Sequence, residues 1–237
     1  MKHPANEALA ALAERFGLAD PSAAGRLDAL LRVLATDPHA PTTLTDPREA
    51  ADAHLADSLV ALEVPAVRAA RAVADVGAGV GLPGLALAVA LPEARVWLVE
   101  SVGRKCEFLE RAIPAAGIAN AEVVCARAEE WEAGRGACDL VTARALAALP
   151  VVVEYAAPLL RVGGSLVAWK GRRDPAEERD GAAAAARLGL ELAEARAVHP
   201  YPAARHRHLH VFRKVAPTPP EFPRRPGMAA KRPQRAS

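Results

Sequence analysis

A chain of 237 residues with 30 basic and 28 acidic side chains, net charge +2, has room for one large domain with appendages. Its 51% apolar content, mostly Ala, Val and Leu, suffices for a sizeable core, yet no apolar run approaches the roughly 18 residues that cross a membrane. No N-terminal segment has the pattern of an export signal, and the three cysteines Cys106, Cys125 and Cys138 are odd in number and lack metal-ligand spacing, which points to a reduced cytoplasmic setting and no resident metal.

Residues 5–35 read as helical, with Leu9, Leu12 and Phe16 and then Leu27, Leu30, Leu31 and Leu34 at helical spacings, broken near Asp20-Pro21. Residues 37–41 form a loop. A second helix starts at Asp46-Pro47, an N-cap followed by proline, and runs to about Leu62. Residues 1–66 are therefore expected to be an N-terminal helical extension. From 67 to 215 strands and helices alternate, the signature of an α/β domain with a mostly parallel sheet. Seven strands are expected, at 71–76, 95–100, 121–125, 138–142, 164–169, 190–198 and 208–213. Helices are expected at 82–91, at 103–116 (ended by Gly117) and at 147–160, with Gly163-Gly164 turning into the fifth strand.

Residues 216–237 are rich in proline and poor in core-forming side chains. Residues 213–237 carry seven basic side chains against one acid, Glu221, so a basic tail follows a slightly acidic body. That pattern fits contact with a polyanion such as RNA through Arg224, Arg225, Lys231 and Arg232. It equally fits a solvated disordered tail with no partner.

The most chemically specific segment is Asp75-Val-Gly77-Ala-Gly79-Val-Gly81-Leu82-Pro-Gly84, a strand entering a glycine loop that opens a helix. Glycines there let backbone pass close to a ligand where a Cβ would collide. The next strand ends at Glu100, about 20 residues on, where nucleotide-binding α/β units present an acid to ribose hydroxyls. From Gly79 the spacing matches the dinucleotide fingerprint. From Asp75 it resembles the S-adenosylmethionine loop of class I methyltransferases. A carboxylate beside the loop opposes a pyrophosphate but suits a sulfonium and an ammonium, so the chemistry favours the second reading.

Further segments carry a more specific resemblance. They are the Gly-Leu-Pro-Gly84 extension, Glu100-Ser-Val-Gly-Arg104-Lys105, Arg127-Ala128-Glu129-Glu130, Thr142-Ala-Arg144-Ala-Leu-Ala-Ala-Leu149, Trp169-Lys170-Gly171 and Arg207-His208-Leu209. His54-Leu-Ala-Asp57-Ser58-Leu59 precedes them, and a basic Pro-Arg-Arg-Pro tail follows. Over about residues 42–237 the chain resembles the bacterial small-subunit ribosomal RNA guanine-N7 methyltransferases, also called glucose-inhibited division protein B. It departs at Val33-Leu34 and Ala40-Pro41-Thr42, in a region where family members usually carry Trp-Asn and then Asn-Leu-Thr before the Asp-Pro segment.

The resemblance implies a class I methyltransferase Rossmann-like sheet and an S-adenosylmethionine cofactor. It implies transfer to N7 of guanine 527 of 16S ribosomal RNA, in the 30S subunit or an assembly precursor, by a cytoplasmic monomer. It assigns Asp75, Gly77, Gly79, Gly81, Leu82, Glu100, Ala128, Glu129 and Arg144 to the cofactor, with Arg144 also orienting the guanine. Arg104, Lys105, Lys170 and Arg207, with the tail cations, fall to the RNA. Two alternatives remain at this level: a methyltransferase acting on another RNA or a small molecule, and a ribosome-binding protein without catalysis. Guanine N7 has a free lone pair and no proton to lose, so no general base, nucleophilic cysteine or metal is expected.

Overall fold

The computed structural model describes residues 4–42 and 46–236, with the side chains of 4–6, 47 and 48 left aside. Seven strands form one sheet in the order β3-β2-β1-β4-β5-β7-β6. They are β1 (Ala72–Val76), β2 (Arg95–Glu100), β3 (Ala121–Cys125), β4 (Cys138–Arg144), β5 (Leu160–Lys170), β6 (Leu190–Val198) and β7 (Arg207–Lys214). The first five pair in parallel, and β7 inserts antiparallel between β5 and β6. The strand order reverses between β1 and β4, which opens a crevice at their carboxyl ends, the usual ligand position in such sheets.

Alternation along the strands splits the core in two. Val73, Val96, Leu98 and Leu140 face one layer, with Leu85, Phe108 and Leu109. Ala74, Val76, Val99 and Val141 face the other, with Leu149, Val153, Ala184 and Phe212. The first layer holds α6 (Gly84–Ala90) and α7 (Gly103–Ala115), and the second holds α8 (Leu149–Ala156) and α9 (Pro175–Arg187). The N-terminal helices α1 (Pro4–Arg15) and α2 (Ala23–Thr36) close over the first layer. Leu9, Phe16, Leu27, Leu30 and Leu34 are buried in the same cluster as Leu85 and Leu98, so the extension completes the core of the sheet.

Three expectations change. The stretch after Asp46 is a composite: α3 (Pro47–Ala50), a π-helical turn Ala51–Ala56, α4 (Asp57–Leu59), a 3₁₀ turn Val60–Glu63 and α5 (Pro65–Arg68). Asp46 does cap it, accepting from the Glu49 N–H at 2.9 Å. The helix expected from Leu82 begins at Gly84, because the Gly77–Gly81 loop spends its first turn on the Gly81 N–H to Ala78 carbonyl bond (2.7 Å). Gly163-Gly164 lies inside β5, where pairing with β4 shifts register between Cys138 and Leu140.

The tail, whose order composition left open, is folded. Phe222 packs on the second core cluster, and α10 (Met228–Lys231) lies against α8. Arg224 pairs bidentately with Glu154, which is only 1% exposed, at 2.7 and 2.5 Å. The Ala236 N–H bonds Asp180 at 2.9 Å. The cysteine count also misled: Cys106 and Cys125 form a disulfide, with Cα atoms 5.7 Å apart. Strand register brings Cys125 beside Glu100, just ahead of α7, a proximity that sequence spacing hides. Cys138 stays free and buried, and burial pushes its thiol up to about 12.

Candidate active site

The glycine loop is shaped by its neighbours. Gly77 and Gly79 sit at φ +71° and +56°, a left-handed backbone that L side chains rarely adopt. A Cβ on Gly79 would have only the Gly77 carbonyl within 4 Å, so the open side of the loop lies there. Gly84 serves packing instead: a Cβ there would come within 2.4 Å of Leu98 Cδ2 and 2.9 Å of Asp75 Cβ. Gly81 is likewise hemmed in by Leu85 and Leu109.

Glu100 ends β2 beneath this loop and is 6% exposed. Its Oε1 accepts from the backbone N–H groups of Ser101 and Val102 at 2.8 and 2.9 Å, and its Oε2 from that of Gly79 at 3.0 Å. Lys105 Nζ stands 3.9 Å away. The carboxylate thus ties the loop to the start of α7. It also lines a cavity of about 300 Å³ with Gly77, Ser101, Lys105, Ala128, Glu129, Leu146 and Tyr155. That volume lies at the lower end of small-molecule clefts. A buried acid, a loop open at Gly79 and the apolar Val76 and Leu146 suit an adenosine-bearing cation.

Arg144 ends β4 and faces a second cavity of about 460 Å³, with His54, Asp57, Trp169, Lys170 and Arg207. Its Nη1 donates to Asp57 Oδ2 at 3.0 Å and to Ser58 Oγ at 3.2 Å. Arg207 Nε lies 3.3 Å from Asp57 Oδ1, and Trp169 Nε1 donates to the Asp57 carbonyl at 2.7 Å. Lys170 pairs with Glu177 at 2.5 Å. His54 bonds Thr42 Oγ1 at 3.2 Å; burial, helped by the charge of Arg144, holds its imidazole below the usual value. Ala145, a non-glycine residue at φ +53°, lines both cavities and joins them. Backbone held in that region costs about 1–3 kcal/mol and clusters at functional sites.

Several assigned residues stand elsewhere than the resemblance implied. Asp75 is 1% exposed, and its oxygens accept from Thr142 Oγ1 (2.8 Å) and the Gly84 N–H (2.9 Å), so it braces the start of α6 instead of meeting a ligand. Burial raises its carboxyl to about 6 against the lowering effect of those two bonds. Leu82 packs into the first core layer, away from both cavities. Glu129 lines the first cavity, but its Oε1 is taken by the Gly227 N–H of the tail at 3.0 Å. Arg144 lines the second cavity and not the first. Arg224 is committed to Glu154, whereas Arg225, Lys231 and Arg232 are exposed. Arg104 borders a third cavity of about 410 Å³ with His39, Lys105 and Arg111. Asp57, Ala145 and Trp169 were not assigned to the site; all three stand in the quoted segments, but only folding brings them to one cavity.

The family model for rRNA small subunit methyltransferase G matches residues 33–209. A protein of Rubrobacter xylanophilus named ribosomal RNA small subunit methyltransferase G is 46% identical over 188 residues, covering 77% of this chain and 72% of that one. One of Desulfitobacterium hafniense with the same name is 37% identical, covering 81% and 80%. Among solved structures, an Agrobacterium tumefaciens protein described as a predicted O-methyltransferase superposes with a TM-score of 0.53 at 28% identity, covering 70% of this chain and 81% of that one.

Proposed function

The chain belongs to the rRNA small subunit methyltransferase G family, and on that premise we propose that it methylates N7 of a guanine in 16S ribosomal RNA, the one at position 527. It is an S-adenosylmethionine-dependent enzyme with a class I methyltransferase fold. The observation that carries the reading is the pair of cavities meeting at Ala145, one walled by a buried acid and the other bordered by Arg144, Lys170 and Arg207.

When bound, S-adenosylmethionine supplies a methyl group on a positively charged sulfur. Glu100 would accept from a ribose hydroxyl with the lone pair on Oε2 that its three backbone bonds leave free, and Ala128 and Glu129 would border the adenine. Gly77 and Gly79 admit the chain of the ligand close to the loop. On the other side of Ala145, Arg144 orients the base, held rigid by Asp57 and Ser58. Bound there, S-adenosylmethionine would supply an electrophilic methyl group to the N7 lone pair, its sulfur keeping the electrons of the carbon–sulfur bond. No proton moves, so alignment and exclusion of water are what the chain must provide. N7 lies on the major-groove edge, closed to side chains in A-form RNA, so the target nucleotide is unpaired.

Exposed Arg104, Arg225, Lys231 and Arg232 supply contacts to phosphates around the target. We place the enzyme in the cytoplasm as a monomer acting on the 30S particle or an assembly precursor. Among the described residues no helix is long and apolar enough to cross a membrane. The test is methyl transfer from labelled S-adenosylmethionine to unmodified 30S subunits and, in parallel, to naked 16S ribosomal RNA and small-molecule acceptors. Transfer to the RNA-containing substrates alone supports the reading. Transfer only to a small molecule would overturn it.

A further inference from the structure

Asp57 stands in the wall of the second cavity with one carboxylate oxygen hydrogen-bonded and the other not. Oδ2 accepts from Arg144. Oδ1 is buried and lacks a hydrogen-bond partner, although Arg207 Nε lies 3.3 Å away and covers it. The residue is 7% exposed. A buried carboxylate oxygen that has an ion-pair neighbour but no hydrogen bond is costly to maintain. Everything else about Asp57 is fixed: Trp169 holds its carbonyl, Arg144 its other oxygen, and the π-helical turn Ala51–Ala56 sets its backbone. Such turns occur often at functional sites. Its cover is the loose element, since the Arg207 side chain is 40% exposed and that of Arg144 only 15%.

We propose that Asp57 is the residue that selects guanine, accepting the N2 amino group on Oδ1 and the N1–H on a free lone pair of Oδ2 after Arg207 swings onto the phosphate of the target nucleotide. The inference rests on the guanine-N7 reading above. Guanine is the one standard base whose Watson–Crick edge offers two adjacent donors, and a carboxylate only accepts. Adenine would present an acceptor, N1, to the carboxylate. Gripping the N1/N2 edge leaves N7, at the opposite end of the purine, free to face Ala145 and the first cavity. Methylation makes the base cationic and its N–H groups more acidic. The bonds to Asp57 therefore strengthen as the methyl group transfers, which favours the transition state over the bound substrate.

The decisive experiment compares 30S subunits reconstituted with guanosine or with inosine at the methylated position; inosine keeps N7 and N1–H but lacks the N2 amino group. Wild-type protein and Asp57→Asn are assayed for kcat/KM on both, for Kd on both without cofactor, and for S-adenosylmethionine affinity by calorimetry. The wild type should prefer guanosine by about 10- to 100-fold, the value of a hydrogen bond to a charged group. In Asp57→Asn that preference should fall to within about threefold, with cofactor affinity unchanged. A variant that loses activity equally on both substrates would show that Asp57 only braces Arg144, and would overturn the proposal. If Asp57→Asn does not fold, the wild type alone decides, because equal rates on guanosine and inosine would also overturn it. Wild-type failure on guanosine itself would instead reject the guanine-N7 reading, and this inference with it.

Discussion

Asp75 makes the fold sensitive to pH in a way a single substitution isolates. Its carboxyl is raised from 3.8 to about 6 by burial, only partly offset by the bonds from Thr142 and Gly84. A raised carboxyl means that the folded state binds the proton more tightly than the unfolded one. This contribution to stability is fully present below about pH 4 and is lost as pH rises through about 6. The shift of roughly two units corresponds to about 3 kcal/mol. Asp75→Asn is neutral at every pH, keeps an acceptor for the Gly84 N–H, and turns the Thr142 hydroxyl from donor to acceptor. The stability of the variant relative to wild type, read by urea unfolding at a series of pH values, should therefore rise by about 3 kcal/mol between pH 4 and pH 7. Parallel stability–pH curves for the two proteins would refute the reasoning and return Asp75 to a solvated or ligand-facing position.

Gly84→Ala puts a Cβ against Leu98 and Asp75, and overpacking of this kind costs about 1–3 kcal/mol, to be seen as a lowered urea midpoint. Arg224→Ala strips Glu154 of its partner in a nearly solvent-free site, which should cost about 3 kcal/mol at neutral pH. Adding Glu154→Gln should restore most of that loss in thermal unfolding. Arg225→Ala and Lys231→Ala, at exposed positions, should leave stability unchanged and each lower the slope of log Kd against log salt for 30S binding by about one. An unchanged slope would take the tail out of the phosphate contacts.

The strands and their mostly parallel arrangement were legible because each apolar run ends at a turn residue and the helices between them keep a 3.6-residue period. Part of the lining of the first cavity was also legible, since Gly77, Glu100, Ala128 and Glu129 follow a local spacing that one βαβ unit and its neighbour place together. What lay beyond reach depended on contacts distant in sequence. The pairing of Asp57 with Arg144 and Arg207 spans up to 150 positions, and no periodicity announces it. Asp75 illustrates the opposite error: its position in the motif suggested a ligand contact, but strand alternation and the Thr142 hydroxyl turn it inward. Composition left the order of the tail open, because charge and proline content do not reveal the bonds by which Glu154 and Glu129 hold it.

The central claim is most directly tested by mapping the product atom. Unmodified 30S subunits are incubated with the protein and S-adenosylmethionine, and the 16S ribosomal RNA is then cleaved chemically at N7-methylguanosine and analysed by mass spectrometry. The account predicts a single new methyl group, on N7 of guanine 527. A methyl group on another atom or nucleotide, or none despite bound cofactor, would contradict it.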